Sequence, residues 1–229
     1  DNQDPVTLSK DDTYTDYTQF LELDTLKGKR IGIDTTNLDK LSKKRQAAFH
    51  NVITILKAKG CIIVDNLNIK QTKQIYHVMK YEFKKAINSY LYNEGLNITL
   101  KDITHYNQEN TRANLKYGQK VLLDALYQTS GRLNEKEYID SLIEREEATK
   151  NLEKIFKDSN LDSIYFSNYT SLGPHCGFPT MTLPIDLDED NMPIGAYLLA
   201  PKWCEGRLIA LTYNIEQAIN KKFNPLKNS

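Results

Sequence analysis

Two side chains that could do chemistry, His175 and Cys176, are adjacent in the sequence. A cysteine can act as a nucleophile when an imidazole lies within hydrogen-bond reach of its sulfur. Adjacent residues tend to point their side chains apart, so the sequence favours a packing role for this pair. The spacings G-x-G-x-x-G, G-x-x-x-x-G-K-[ST], H-E-x-x-H and G-x-S-x-G are all absent, which excludes those nucleotide-binding, zinc-protease and nucleophile-elbow signatures.

Three carboxylates at alternate positions, Asp186, Asp188 and Asp190, begin like a calcium-binding loop. Such a loop needs a glycine at its sixth position and a bidentate glutamate at its twelfth. Asn191 and Tyr197 occupy those positions, so we expect a solvated hairpin turn. The histidines are too scattered to share a metal ion and are expected to pack or to face solvent: His50, His77, His105 and His175. No metal and no other cofactor is predicted.

The balance of charge limits the partners that the chain could recognise. Its 229 residues carry 30 Lys and Arg against 30 Asp and Glu, so no net field attracts nucleic acid or an anionic membrane. With 40% hydrophobic residues and no apolar run long enough for a membrane span, the sequence predicts a soluble globular protein. The odd number and wide spacing of the cysteines exclude a disulfide framework and favour a reducing compartment such as the cytoplasm: Cys61, Cys176 and Cys204.

The hydrophobic period predicts the elements that position these side chains. An alternating stretch at 29–34, a helical stretch at 41–59 and an apolar stretch at 61–64 form a β-α-β unit with parallel strands. Further strands are predicted at 163–167, 180–185 and 194–200, followed by a helix at about 205–221. The predicted fold class is α/β, with a mixed, partly parallel sheet flanked by helices.

The middle of the chain, at about 70–158, is predicted to be helical almost throughout. Two pairs with the spacing of a capping box indicate helix starts there, namely Thr99 with Asp102 and Asn134 with Glu137. We interpret residues 1–229 as a single domain that contains this helical subregion.

The C-terminal part of the chain contains a specific series of motifs. Residues 177–184 read G-F-P-T-M-T-L-P, residues 192–199 read M-P-I-G-A-Y-L-L, and Trp203 with Glu205 leads into a helix that contains I-E-Q-A at 215–218. Their order and spacing resemble the C-terminal end of the amidase signature family. Further motifs resemble its peptide-amidase-like branch: T-L-K-D-I at 99–103, Y-N at 106–107, Y-G-Q at 117–119, E-Y-I at 137–139, L-K-G-K-R-I-G at 26–32 and D-x-x-D-P-x-T at 1–7. The resemblance covers essentially the whole chain.

The resemblance implies a parent protein that hydrolyses linear carboxamides through a Ser-Ser-Lys mechanism, with a glycine-rich loop as the oxyanion hole. In the family those residues precede the D-x-x-D-P-x-T motif, which here begins at Asp1. The sequence contains no Gly-Gly pair and no Ser-Ser pair, and its first residue is not Met. We therefore expect the chain to be the C-terminal portion of an amidase-like protein, without catalytic residues and inactive alone.

The resemblance implies that this portion supplies one wall of the acyl pocket. Asn168, Tyr169 and Thr170 follow a predicted strand at its carboxyl end, where open α/β sheets place ligands, and Cys176 directly precedes the G-F-P strand. We predict these four residues as substrate-binding. The segment that leads to Gly177 is shorter than in the peptide-amidase-like branch, so an altered pocket is expected.

Two amides in the helical region are further candidates for substrate binding. Asn107 lies four residues after Ile103 on the apolar face of its helix, so it needs a buried polar partner. Asn107 and Gln119 are predicted either to line the pocket or to serve a structural role.

The partners expected for this chain are a missing N-terminal catalytic half and, in the parent, a small-molecule amide substrate. A homodimer through the exposed sheet edge is also expected, because an unpaired strand offers hydrogen-bonding groups to a second copy. Neither nucleic acid nor a membrane span is predicted. Two alternative functions remain open: a non-catalytic lobe that binds small molecules, and a structural module that completes a separate catalytic chain.

Overall fold

The structure is a computed structural model that describes residues 14–72 and 75–220. The strands formed by these residues are β1 (Arg30–Asp34), β2 (Ile62–Val64), β3 (Ser163–Phe166), β4 (Thr180–Leu187) and β5 (Pro193–Leu199). The helices are α1 (Lys43–Ala58), α2 (Ile75–Asn93), α3 (Leu100–Glu109), α4 (Thr111–Asn114), α5 (Lys120–Tyr127), α6 (Lys136–Asp158), α7 (Leu172–Cys176) and α8 (Glu205–Ile219). The predicted α/β class is confirmed. The motif at 1–7 and the predicted helix end at 221 lie outside the described residues.

The strands form one mixed sheet in the order β2-β1-β3-β5-β4. β1 is parallel to β2 and to β3, with Ile31 opposite Ile63 and Gly32 opposite Ile164, so the parallel strands of the predicted β-α-β unit are confirmed. β5 runs antiparallel to β3, and β4 runs antiparallel to β5. The carboxyl ends of β1 and β3 therefore meet at one end of the sheet, where a ligand site of such a sheet is expected.

Helix α1 begins and ends at local signals that the sequence carries. The Ser42 side chain accepts a hydrogen bond from the Arg45 amide at 3.4 Å, which satisfies one of the free donors of the first turn. Gly60, at φ +82°, lets the chain leave the helix through the left-handed region and turn into β2. The buried face of α1 belongs to the core beside the sheet: Ala48, Phe49, Val52 and Leu56.

The contacts within the chain define two compact units. The sheet unit comprises residues 1–70 and 149–229, of which 14–70 and 149–220 are described. Its strands and helices α1 and α8 contribute to one cluster of buried apolar side chains, among them Ile31, Phe49, Leu56, Tyr165, Leu198, Leu208 and Ile215. The helical unit comprises residues 71–148 and contains α2 to α5 with the first part of α6.

The helical unit has smaller apolar clusters. One joins α2 to α6 through Val78, Tyr81 and Tyr138, and another joins α3 to α5 through Leu100, Ala125 and Leu126. Polar side chains connect the same helices. The Lys84 ammonium, for example, donates to the carbonyls of Leu126 and Thr129 at 2.8 and 3.0 Å. The unit therefore combines limited apolar burial with specific hydrogen bonds between helices.

One of the two predicted helix caps is confirmed and the other is wrong. The Thr99 amide donates to the Asp102 carboxylate at 2.8 Å, and the reciprocal bond completes a capping box at the start of α3. At the start of α6, the Asn134 amide donates to Glu135 at 3.1 Å and leaves Glu137 out of the cap. The Glu137 carboxylate instead accepts from the Tyr81 hydroxyl of α2, a tertiary contact that the local spacing does not reveal.

The acidic segment between β4 and β5 forms the predicted hairpin turn. The Asp188 carboxylate accepts the amides of Asp190 and Met192 at 3.1 and 2.9 Å, and Asn191 takes the left-handed φ of +60°. Within residues 14–72 and 75–220, no group of three or more His, Cys, Asp or Glu side chains is placed to hold a metal ion. Across the same ranges, no helix is long and apolar enough to cross a bilayer.

Candidate functional site

The loop after β3 carries three of the predicted site residues at the carboxyl end of the sheet. It is anchored to the end of β1, because the Ser167 amide donates to the Asp34 carbonyl at 2.9 Å. The Ser167 hydroxyl also donates to the Thr36 carbonyl at 3.0 Å. These bonds hold the start of the loop against the neighbouring parallel strand, which fixes where the following side chains emerge.

The side chains of Asn168, Tyr169 and Thr170 make local contacts and face solvent to different degrees. The Asn168 side-chain oxygen accepts the Tyr169 amide at 2.9 Å, and the Thr170 hydroxyl accepts the Leu172 amide at 3.2 Å. The Tyr169 ring is 67% exposed and contacts Tyr197 of β5 edge-on, with 5.8 Å between ring centroids. Asn168 is exposed and Thr170 is half-buried, so this face is open to a ligand.

Helix α7 packs closely against β4 and buries Cys176. A Cβ atom on Gly173 would lie 2.0 Å from the Thr180 methyl group, so only glycine allows this approach. Gly177, at φ +74°, ends α7 and leads the chain toward β4. Cys176 is 6% exposed and lies beneath the surface, whereas Asn168 and Tyr169 lie on it. His175 is buried on the same short helix.

A small cavity lies beside Asn168 and is also lined by Arg45, Tyr165 and Tyr197. Its volume of about 10 Å³ suits at most a single water molecule and is far too small for a substrate. Arg45 forms an ion pair with Asp188 at 2.9 Å. Backbone hydrogen bonds, first from Met192, and the bond from Arg45 lower the pKa of Asp188, while burial raises the pKa of Tyr165. The cavity beside Asn168 therefore cannot by itself hold a substrate.

Asn107 and Gln119 contact each other in the helical unit. The Asn107 amide group donates to the Gln119 side-chain oxygen at 3.1 Å, and the Gln119 amide group donates to the Thr104 carbonyl at 3.0 Å. Both side chains are half-buried. The polar partner expected for Asn107 is thus Gln119, and the pair links α3 to the residue before α5.

The sequence did not predict two features near the sheet. Arg45 and Tyr197 lie beside Asn168, although neither belongs to a motif that points to this loop. A larger cleft of about 350 Å³ lies at the amino ends of β1 and β3, and its lining includes Lys29, Asp162 and Trp203. Asp162, directly before a strand, and Trp203, the single tryptophan of the chain, are the sequence signals that could have drawn attention to it.

Comparisons with known proteins agree with these motifs and with this fold. No protein-family model matches the chain. A probable amidase of Arabidopsis thaliana is 29% identical over 216 residues, which cover 88% of this chain and 40% of that protein. The crystal structure of an amidase family protein from Bacillus anthracis is 25% identical in sequence and superimposes with a TM-score of 0.84. The match covers 98% of this chain and 45% of the Bacillus chain. The crystal structure of the peptide amidase of Stenotrophomonas maltophilia is 23% identical in sequence, with a TM-score of 0.83. The match covers 100% of this chain and 51% of the peptide amidase chain.

These likenesses define the class of protein as α/β with the amidase signature fold. The resemblance to the amidase signature family, predicted from the motifs, is confirmed. The chain spans 40% to 51% of the length of these three proteins.

Proposed function

We propose that this chain is the C-terminal portion of an amidase signature hydrolase, whose catalytic serine lies in a preceding segment. The observation that carries the proposal is the coverage of the structural relatives. Nearly all of this chain matches, but it accounts for only 45% to 51% of the related chains. The ordered series of family motifs along the sequence supports the same assignment.

The proposal accounts for a chain in which we assign a binding wall but find no evident nucleophile. Acyl transfer from an amide needs an activated nucleophile and donors for the developing oxyanion. The sequence contains neither a Gly-Gly pair nor a Ser-Ser pair from which the family builds that machinery. The chain is therefore expected to bind and position substrate only when the catalytic segment is joined to it or bound to it.

The wall that we assign to the acyl pocket consists of Asn168, Tyr169, Thr170 and Cys176. Its exposed members lie at the carboxyl end of β3, and the adjacent cavity is too small to hold a substrate. A site with one open wall fits a pocket that another segment completes. Cys176, beneath the surface, would set the depth of that pocket through its packing.

Asn107 and Gln119 are also proposed to act on substrate binding, by positioning helix α3. The Asn107 amide group donates to the Gln119 side-chain oxygen, and the Gln119 amide group donates to the Thr104 carbonyl. Among the described residues this leaves the second N–H of each amide group available. A ligand that reaches this pair could bind there without leaving a buried polar group unsatisfied.

Strand β4 is the surface proposed to pair with the catalytic half. Among the described residues, β4 has a neighbour, β5, on one side only, and Thr180, Thr182 and Pro184 are exposed. An open edge of this kind offers backbone groups to another strand. In the absence of the catalytic half, the same edge is expected to pair with a second copy of the chain and form a homodimer.

The experiment that tests the proposal compares the chain with the product of its complete gene. Reading the gene upstream of Asp1 should reveal an in-frame segment rich in glycine and serine. The longer product should hydrolyse an aryl amide, and the chain alone should not. As a control, a variant with all three cysteines replaced by serine should behave like the chain alone. A start codon near Asp1 with no such segment, or turnover by the cysteine-free chain, would contradict the proposal.

A further inference from the structure

The cleft at the amino ends of β1 and β3 lies at the end of these strands opposite to Asn168. Lys29 directly precedes β1, and Asp162 directly precedes β3. The remaining walls come from residues 14–31 and from the first turns of α8. The volume of about 350 Å³ falls within the range of small-molecule sites, which begins at about 300 Å³.

The apolar part of the cleft could hold a hydrophobic body. Leu26, Ile31 and Leu211, all nearly inaccessible to solvent, lie along it. Two aromatic side chains, Trp203 and Tyr14, line the same cleft and are 60% and 47% exposed. Aromatic rings that remain this exposed beside a cavity offer a face on which a ligand can pack.

The charged part of the cleft has two cations that share one carboxylate. The Asp162 Oδ1 atom lies 3.5 Å from the Lys29 Nζ atom and 3.4 Å from the Arg207 Nη1 atom. Its Oδ2 atom accepts the Arg30 amide at 2.9 Å, which fixes the carboxylate at the start of β1. Both ion-pair distances exceed the roughly 2.8 Å of a charge-assisted hydrogen bond.

Among the described residues, the two cations therefore keep side-chain donors that no protein group accepts. Within the part of the chain that the structure describes, neither the Lys29 ammonium nor the Arg207 guanidinium donates a side-chain hydrogen bond. Two cations, Lys29 and Arg207, and two carboxylates, Asp162 and Glu22, line the cleft, so its charged side chains balance. In the described ranges Glu22 forms no ion pair with either cation, and both cations face Asp162 instead.

We propose that this cleft binds a small monocarboxylate with an apolar body. The ligand carboxylate accepts hydrogen bonds from Arg207, whose planar guanidinium suits a bidentate contact, and from Lys29. The apolar body lies against Leu211 and Trp203. This site goes beyond the proposed amide hydrolysis, because it lies at the other end of the strands and needs no catalytic segment.

Trp203 allows a direct test because it is the single tryptophan of the chain. Titration with 3-phenylpropionate should change its fluorescence and reach saturation. The neutral analogue 3-phenylpropanol should bind at least about ten-fold more weakly, a difference of 1.4 kcal/mol. Absence of saturation with the acid, or equal affinities for acid and alcohol, would overturn the proposal.

Substitutions locate the binding of the carboxylate. Arg207→Gln and Lys29→Gln should each lower the affinity for 3-phenylpropionate about ten-fold. Arg207→Lys, which keeps the charge, should lower the affinity less. Lys202→Gln, which removes a neighbouring cation outside the cleft, should bind as the unmodified chain does. Glu22→Gln should bind at least as tightly as the unmodified chain. Unchanged affinity in the Arg207→Gln and Lys29→Gln variants would contradict the assignment.

A second measurement on the unmodified chain keeps the test independent of variant folding. Cys204 lines the cleft and is half-buried, whereas Cys61 and Cys176 are buried. Burial, together with the nearby Asp162 charge, raises the pKa of Cys61 to about 11, which keeps it unreactive at neutral pH. At a concentration of about twice its Kd, 3-phenylpropionate should slow the modification of Cys204 by a thiol reagent about three-fold. An unchanged rate at saturating fluorescence would place the ligand elsewhere.

Discussion

The sheet unit and the helical unit are stabilised by different interactions. In the sheet unit, a buried apolar cluster includes residues of β1, β3, β4, β5, α1 and α8. In the helical unit, two clusters of three buried residues each are accompanied by bonds from tyrosine hydroxyls to carboxylates: Tyr76 to Asp124 at 2.6 Å, Tyr138 to Glu82 at 2.8 Å, and Tyr81 to Glu137. Apolar burial does not depend on protonation, whereas a carboxylate bond does. The two units should therefore respond to different perturbations.

The largest expected effect is a cavity in the core of the sheet unit. Leu198 on β5 is 1% exposed, and Leu198→Ala should lower the free energy of unfolding by about 2–5 kcal/mol through lost burial and an unfilled cavity. Ile62→Ala on the edge strand β2, where the side chain is 46% exposed, should change it by less than about 0.5 kcal/mol. Urea unfolding measures both. Equal costs for the two variants would refute a core-based account of this unit.

A smaller effect is expected when a tyrosine hydroxyl is removed from the helical unit. Tyr81→Phe removes the donor to Glu137 while keeping the ring in its cluster, so it should cost about 1 kcal/mol. Tyr92→Phe is the matched control, because that ring is 80% exposed and its hydroxyl is expected to contribute almost nothing. Hydrogen exchange of α2 and α6 localises the loss. If Tyr81→Phe and Tyr92→Phe exchange alike, the carboxylate bond does not stabilise the unit.

The stability of the two units should also depend differently on pH. The hydrogen bond from Tyr81, with His77 and Lys80 nearby, lowers the pKa of Glu137 from its usual 4.5. A lowered pKa means that the stabilisation is present above pH 4.5 and is lost as the pH falls through the folded-state pKa. The protection factors of the helical unit, which correct for the slower intrinsic amide exchange at low pH, should therefore fall on acidification before those of the sheet unit. Tyr81→Phe should reduce this difference, and an unchanged difference would contradict the assignment to Glu137.

The bond between Tyr81 and Glu137 also predicts a loss of stability when the pH rises. The bond to Glu137, together with burial, raises the pKa of Tyr81 from 10 to about 12. This contribution is present below pH 10 and is lost as the pH rises toward 12. Ultraviolet titration of tyrosinate, compared between the chain and Tyr81→Phe, should show one late-titrating group fewer in the variant. A late group that persists in Tyr81→Phe would have to be another tyrosine.

The smallest effect on stability is expected at the proposed pocket wall. The Asn168 side chain is exposed, and within residues 14–72 and 75–220 it bonds only to the next residue, so Asn168→Ala should change the free energy of unfolding by less than about 0.5 kcal/mol. In the longer product proposed above, Asn168→Ala should lower kcat/KM at an unchanged Tm. A large fall in Tm with normal kinetics would assign Asn168 a structural role.

The sequence predicted the fold best where local patterns and packing agree. The strands, α1 and the C-terminal helix follow from periodicity and from signals such as Ser42 and Gly60, which act within a few residues. The prediction that Glu137 caps the start of α6 was wrong, because its carboxylate bonds to Tyr81, which is far away in the sequence. The cleft escaped prediction for a similar reason, since Lys29, Asp162 and Arg207 are remote in sequence and meet only in the folded chain. The placement of Asn168 beside Asn107 and Gln119 in one pocket stays a prediction.

Pro184 limits the number of backbone hydrogen bonds that an added strand can form with the open edge of β4. Proline has no amide donor, and the register with β5 shifts between Pro184 and Asp186, so an incoming strand finds only a short uninterrupted ladder. Natural proteins use such interruptions against edge-to-edge aggregation. The isolated chain should therefore dimerise without growing into amyloid fibrils, and Pro184→Val should increase thioflavin T binding on prolonged incubation. The residue that weakens strand pairing with the proposed partner half would thus also protect a copy without that half from aggregation.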